Sequence, residues 1–473
     1  MVNWRNCPCW SCWAVTWWLC CSAIRQLRRL LLPVNPISSE RYRLIKTAIS
    51  AVIDELRPDL VAFLQQLVRS PSLPGEEGGV QRLIAAKLEE LGLEVDVFPV
   101  RFDHLRSHPA FNDDGFSADQ RLDVVGRWKA VVKGEGKNVS GRLPAAHGSL
   151  ILNGHVDVVS PGDLALWSTS PWSGEVRDGK LYGRGACDMK GGLTAGIFAL
   201  QALRRLGFEP AFDILLESVI GEESGGAGSL ATIVNGYRAD ACVVLEPTQL
   251  CICPLQSGAL TFRLSVNGKA THAAVRQHGI SAIDKFIWLY AAIQQLEVER
   301  HANFQNQFYD PALYAAPISI GVVRAGEWHS SVAEKAVAEG RMGVFPGESA
   351  ADARRALEDA LARAASQDAW LKDHPPLVEW FEGQFESGAT DPAHPLIQQL
   401  AARHTEVLEV PPAVRGVPYG SDLRLFTNHA GIPTVLYGPG NVSLAHGADE
   451  YIALDEVVTA ARVIAGFVAH WCG

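Results

Sequence analysis

Residues 149–163 read SLILNGHVDVVSPGD and residues 181–193 read LYGRGACDMKGGL. In the first piece, Leu150 to Leu152 is a short run of β-favouring apolar residues that stops at Asn153-Gly154 and at once presents His155 and Asp157. This is the pattern of a buried strand delivering polar groups at its C-terminal end, where open α/β sheets place their sites. His155 and Asp157 are two apart, so on extended backbone they point the same way. One can bind a metal while the other accepts the imidazole's second N–H and fixes its tautomer. The second piece sets Asp188 on a turn between Gly-rich flanks, with a helix expected from about Gly191. That gives a carboxylate beside a histidine. Taken alone, GHVD describes polar residues on a surface loop equally well.

Outward from this stretch the pattern recurs. Phe212 to Val219 reads as the next strand and ends at Gly221-Glu222-Glu223-Ser224-Gly225-Gly226; Ala241 to Leu245 follows and ends at Glu246-Pro247. Three strands thus each deliver acid or imidazole at their C-terminal ends. Leu193 to Leu206, apolar on more than one face and closed by Gly207, predicts a helix packed on the sheet. Upstream, apolar spacing predicts helices around Ile49 to Leu67, with Pro58 at a helix start, and over Val80 to Leu91. Leu93 to Val100 and Val124 to Val132 read as strands. From Leu260 the order changes to strand, helix, two strands, helix and strand, which predicts a small α+β domain inserted in the first. After about Ala389 the alternation returns, with Leu396 to Leu408 helical and a strand from Ile432 to Tyr437 leading to the loop that carries His446.

A chain of 473 residues is too long for one ordinary core. With 48% hydrophobic and 20% charged residues, it belongs with globular proteins rather than disordered or fibrous ones. A net charge of −10 offers no basic footprint for nucleic acid. The ten cysteines are scattered and form no disulfide framework. Residues 1–46 differ from the rest: the apolar run from Cys7 to Ile24 is followed by Arg25, Arg28 and Arg29. We expect this leader to lie outside the fold of a cytoplasmic protein, the alternative being a membrane anchor through residues 7–24.

GHVDVV, GRGACDMKGG, GEESGG, LEPT and AHGADEYI resemble, in order and spacing, the zinc amidohydrolase family that includes acetylornithine deacetylase, succinyl-diaminopimelate desuccinylase, aminoacylase and glutamate carboxypeptidase. The resemblance implies an α/β zinc-exopeptidase-like catalytic domain over 47–257 and 389–473, interrupted by an α+β lid and dimerisation domain over 258–388. It implies two Zn2+, with Co2+ able to substitute: His155 and Glu246 on one, Glu223 and His446 on the other, Asp188 bridging. Asp157 would orient His155, and Glu222 would be the general base. Four metal charges against three carboxylates and one hydroxide leave a neutral cluster that can be buried. His272, in GKATHAAV, would reach the partner subunit's site in a homodimer and stabilise the oxyanion. Arg424, in YGSDLR, would hold a substrate carboxylate with its bidentate fork. The expected function is hydrolysis of the amide of a small N-acyl amino acid or related amine, N-acetylornithine being the leading candidate. A metallo-exopeptidase is the alternative on the same fold, and a catalytically inactive binding protein the alternative of another class.

Overall fold

In the computed structural model, which describes residues 39–117, 121–131 and 147–473, β1 (Glu94–Pro99) and β2 (Leu122–Trp128) form the antiparallel edge of a nine-stranded sheet. The sheet continues with β3 (Leu150–His155); then, past the short hairpin β4 (Glu175–Arg177) and β5 (Lys180–Tyr182), come β6 (Ile214–Val219), β7 (Ala241–Val244) and β8 (Ile252–Gln256). β3 lies between β6 and β7 and is parallel to both. Strands covered on both faces read as continuous apolar runs, and every residue of these three is buried. Their C-terminal ends, the ones the sequence marks with His155, Glu222 and Glu246, therefore open side by side on one edge of the sheet. Helices Gly191–Arg205 and Leu454–Trp471 pack together over it.

The lid domain comprises β9 (Gly258–Asn267), helix Ala282–Ala302, β10 (Ile318–Ala325), β11 (Lys335–Val344), helix Ala350–Ser366 and β12 (Leu377–Phe385). This is the predicted β-α-β-β-α-β order. Its sheet runs β10-β11-β9-β12 and has a core of its own, built on Leu260, Phe262, Leu264, Leu289 and Leu357. The chain then re-enters the large sheet through β13 (Gly388–Ala389), β14 (Val414–Val417) and β15 (Thr434–Leu436), while β16 (Tyr451–Ala453) completes a three-stranded sheet with the β4-β5 hairpin.

Two readings change. Pro58 does not start a helix but lies inside one, Ser39–Arg69. Ile49, Ile53, Leu56, Leu60, Leu64 and Leu67 are buried on both sides of it, so packing against the two helices above carries the segment through a residue that lacks an N–H. That helix also begins at Ser39, inside the stretch 1–46 expected as leader. The rest of the leader, with the apolar run 7–24, lies outside the described residues; among those described, no helix is long and apolar enough to cross a membrane.

Candidate metal centre

His155 is the last residue of β3, and its ring is fully enclosed. Its Nδ1 lies 3.0 Å from the main-chain oxygen of Asp157 and 3.6 Å from that residue's carboxylate. A proton on Nδ1 donated to the carbonyl leaves the Nε2 lone pair for a metal. Nε2 in turn faces Asp188 at 3.1 Å and Glu222 at 3.8 Å. It is thus the main chain of Asp157 that orients His155, and its carboxylate has a task that the sequence did not reveal. It accepts the backbone N–H groups of Glu222, at 3.2 Å, and Glu223, at 3.1 Å. One aspartate thereby sets both the tautomer of His155 and the aim of the acidic turn after β6.

Asp188 sits just before helix Gly191–Arg205. The two glycines at the start of that helix are there for closeness, since a Cβ at Gly192 would lie 1.9 Å from the carbonyl oxygen of Leu245. This approach brings the Asp188 turn against the end of β7, where Glu246 is buried. From the far side comes His446, half-exposed and with a positive φ of 63°. Its Nε2 lies 3.1 Å from Glu223 and 3.6 Å from Asp188. Ligand atoms of His155, Glu222 and Glu246 all fall within 4.8 Å of one another, as do those of His155, Asp188 and Glu223. The two groupings overlap, and together with His446 they unite the five residues named as ligands with the one named as base.

The electrostatics of the cluster are those of a place prepared for cations. Burial raises the carboxyls of Glu222, Glu223 and Glu246, and repulsion from neighbouring acids adds to it. Burial alone would depress His155, but the bond to Asp188 and the charges of Asp157 and Glu222 outweigh it and raise the imidazole. His446 is pushed up to about 9, chiefly by its bond to Glu223. Desolvation disfavours Asp188 as an anion, yet His155 and His446 hold it below its usual range. Divalent cations relieve such crowding of buried acids, and a mixed nitrogen and oxygen donor set suits zinc among them.

Further groups, to which the sequence reading gave no role, complete the centre. Glu450, buried four residues beyond His446, accepts the N–H groups of Cys187 at 2.8 Å and Asp188 at 3.2 Å, and pairs with buried Arg184 at 2.6 Å. It ties the loop of His446 to the turn of Asp188. Behind the acidic turn, Arg121 bonds Glu77 and Asp114, and Asp114 accepts from Ser224 at 3.0 Å. The acid in AHGADEYI was the available signal for Glu450; nothing near Arg121 announces partners so far along the chain.

The remaining two candidates stand apart from the cluster. His272 lies exposed on the lid at the start of a short turn, where its Nδ1 accepts from Ala274 N at 3.1 Å. Arg424 is fully buried and donates from Nη2 to the carbonyl of Gly225 at 2.8 Å.

The family description Peptidase family M20/M25/M40 matches residues 151–470. The chain belongs to this family. The family match bears out the resemblance seen in the sequence motifs. Over 444 residues, 89% of this M20 chain and 96% of the other, it is 28% identical to the N-formyl-4-amino-5-aminomethyl-2-methylpyrimidine deformylase of Bacillus subtilis. It is 24% identical to acetylornithine deacetylase of Edwardsiella ictaluri, over 88% and 98% of the two chains. Among solved structures, the di-peptidase Dug1p of Saccharomyces cerevisiae shares the fold with a TM-score of 0.68 at 15% identity, covering 90% of this chain and 98% of that one.

Proposed function

We propose that this protein is a two-zinc amide hydrolase that removes a small acyl group from an amine. The observation that carries the reading is the convergence of His155, Asp188, Glu223, Glu246 and His446 around a buried Glu222 at the ends of adjacent strands. The relatives aligned over nearly their whole length, a deformylase and a deacetylase, support a small acyl group. Metal ions in this cluster would polarise the amide carbonyl and acidify the attacking water. Asp188 would bridge them, with His155 and Glu246 on one side and Glu223 and His446 on the other. Glu222, whose carboxyl burial raises, would take the proton from water and return it to the departing amine. The two adjacent glutamates divide the work because Asp157 fixes both backbones.

The test is a panel of N-formyl, N-acetyl and N-succinyl amines, with and without a carboxylate, beside a set of dipeptides, on the zinc-loaded chain. Turnover of short N-acyl amines well above dipeptides is expected. The reverse order would replace this reading with the exopeptidase one, the alternative on the same fold. Metal retention with no turnover of either class would make the chain a binding protein.

In this reading the enzyme is a cytoplasmic homodimer, and His272 completes the site of the partner subunit by donating to the developing oxyanion. Removing one such donor costs roughly a hundredfold or more in kcat. Mixing His272→Ala chains with Glu222→Gln chains is therefore expected to restore activity, since one site in each heterodimer owns both groups. Inactive mixtures, with subunit exchange confirmed, would rule out the shared site.

A further inference from the structure

The turn that carries Glu222 and Glu223 is held by Asp157 and Asp114 from its own half of the catalytic domain, and by Arg424 from the other half. The Arg424 guanidinium also lies 5.1 Å from the ring centroid of Phe385, the last residue of lid strand β12. A Cβ at Gly388, where the chain re-enters the large sheet, would lie 3.0 Å from the Arg424 Cα. Between these two, Glu386 is bonded to His429 at 2.8 Å, and Asn428 donates to the carbonyl of Ser387 at 2.9 Å. One buried guanidinium thus bonds the catalytic turn and packs on the last residue of the lid strand, while the main chain of the same residue lies against Gly388. With no exposed surface, its fork offers a substrate carboxylate no accessible edge in this conformation.

We propose that Arg424 is a positioning residue that couples the lid crossing at Phe385–Gly388 to the turn bearing Glu222. Hinge motions concentrate in a few residues at element ends, and any displacement of this crossing must be accommodated by the guanidinium packed on it. Its bond to Gly225 passes that displacement to the turn, so the base is aimed when the lid is in place. This rests on the reading of Glu222 as general base.

The experiment uses the full-length, zinc-loaded chain with two substitutions and their combination. Arg424→Met keeps an unbranched stem against Phe385 but loses the donor to Gly225. Phe385→Leu alters the hinge side of the contact and leaves the turn untouched. Each is expected to lower kcat on the order of tenfold, with KM unchanged alike for carboxylate-bearing and neutral N-acyl amides. The double variant should lose little more than either single one, and Arg424→Lys should recover part of the rate. A KM increase confined to carboxylate-bearing substrates would instead assign Arg424 to substrate binding and overturn the proposal. So would additive losses, or an unaltered kcat. Should Arg424→Met fail to fold, Phe385→Leu still decides through amide hydrogen exchange: residues 221–228 should exchange faster although the substitution lies on the lid strand, and unchanged exchange there refutes the coupling. That measurement needs no substrate, so it separates failure of the coupling from failure of the proposed reaction.

Discussion

Glu222→Gln is expected to bind metal as the wild type does and to lose at least about a hundredfold in kcat, the usual scale for removing a general base. The amide has the size of the carboxylate, and the turn is held through its main chain by Asp157, so the substitution should leave the surrounding ligands where they are. What it removes is the ability to accept a proton from water and return it to the amine. The geometry makes metal analysis an essential part of the result. Glu222 lies 3.8 Å from His155 Nε2 and shares a candidate cluster with Glu246, so by position alone it could also be a ligand. A variant that loses turnover together with one metal would transfer Glu222 from base to ligand. Near-normal turnover would remove it from the chemistry.

Much of this centre was legible because parallel strands impose a plain code. A buried strand is mostly apolar, so acid or imidazole at its end stands out, and three such ends recur at His155, Glu222 and Glu246, although Asn153, Glu217 and Ser218 are buried within the strands themselves. The lid was legible for a similar reason: its strands and helices have different hydrophobic periods, and their order is distinctive. The final helix Leu454–Trp471 has comparable apolar spacing, with Leu454, Val457, Val458, Ala461, Ile464, Ala465 and Val468 buried, but it was not among the elements read from the sequence. Pairing between distant polar residues has no such code. That Arg424 meets Gly225, Glu450 meets Asp188 and Arg121 meets Glu77 depends on how the elements are stacked, which local pattern does not specify. Pro58 shows the converse: a strong local signal was overruled by apolar burial on both sides of it.

Metal removal should abolish activity and also change the response of stability to pH. In the metal-free chain, Glu222, Glu223 and Glu246 have carboxyls raised above the ordinary 4.5. A group whose pKa is raised by folding contributes stability that is complete below its unfolded value and is lost as pH climbs through its folded value. His155 and His446 act in the same sense from about 6.5 upward, the latter until about 9. Within the cluster Asp188 alone runs the other way, since its depressed carboxyl contributes above the ordinary 3.8 and loses that contribution in stronger acid; outside it, buried Lys190, pushed down to about 7, opposes the trend above that pH in both the metal-free and the zinc-bound protein. Between pH 5.5 and 8.5 the cluster's own contribution to the stability of the metal-free protein therefore falls as pH rises, because the deprotonating acids are left facing one another. Bound zinc takes the place of those protons, and its affinity itself grows with pH because the ligands must be deprotonated. The Tm gain on adding zinc to chelator-treated protein should accordingly widen from pH 5.5 to pH 8.5, reaching on the order of 10 °C when zinc is in large excess over its dissociation constant. Thermal melts of both forms across this range provide the measurement. An equal gain at the two ends would mean that the buried acids are not left to repel one another when the metal is gone.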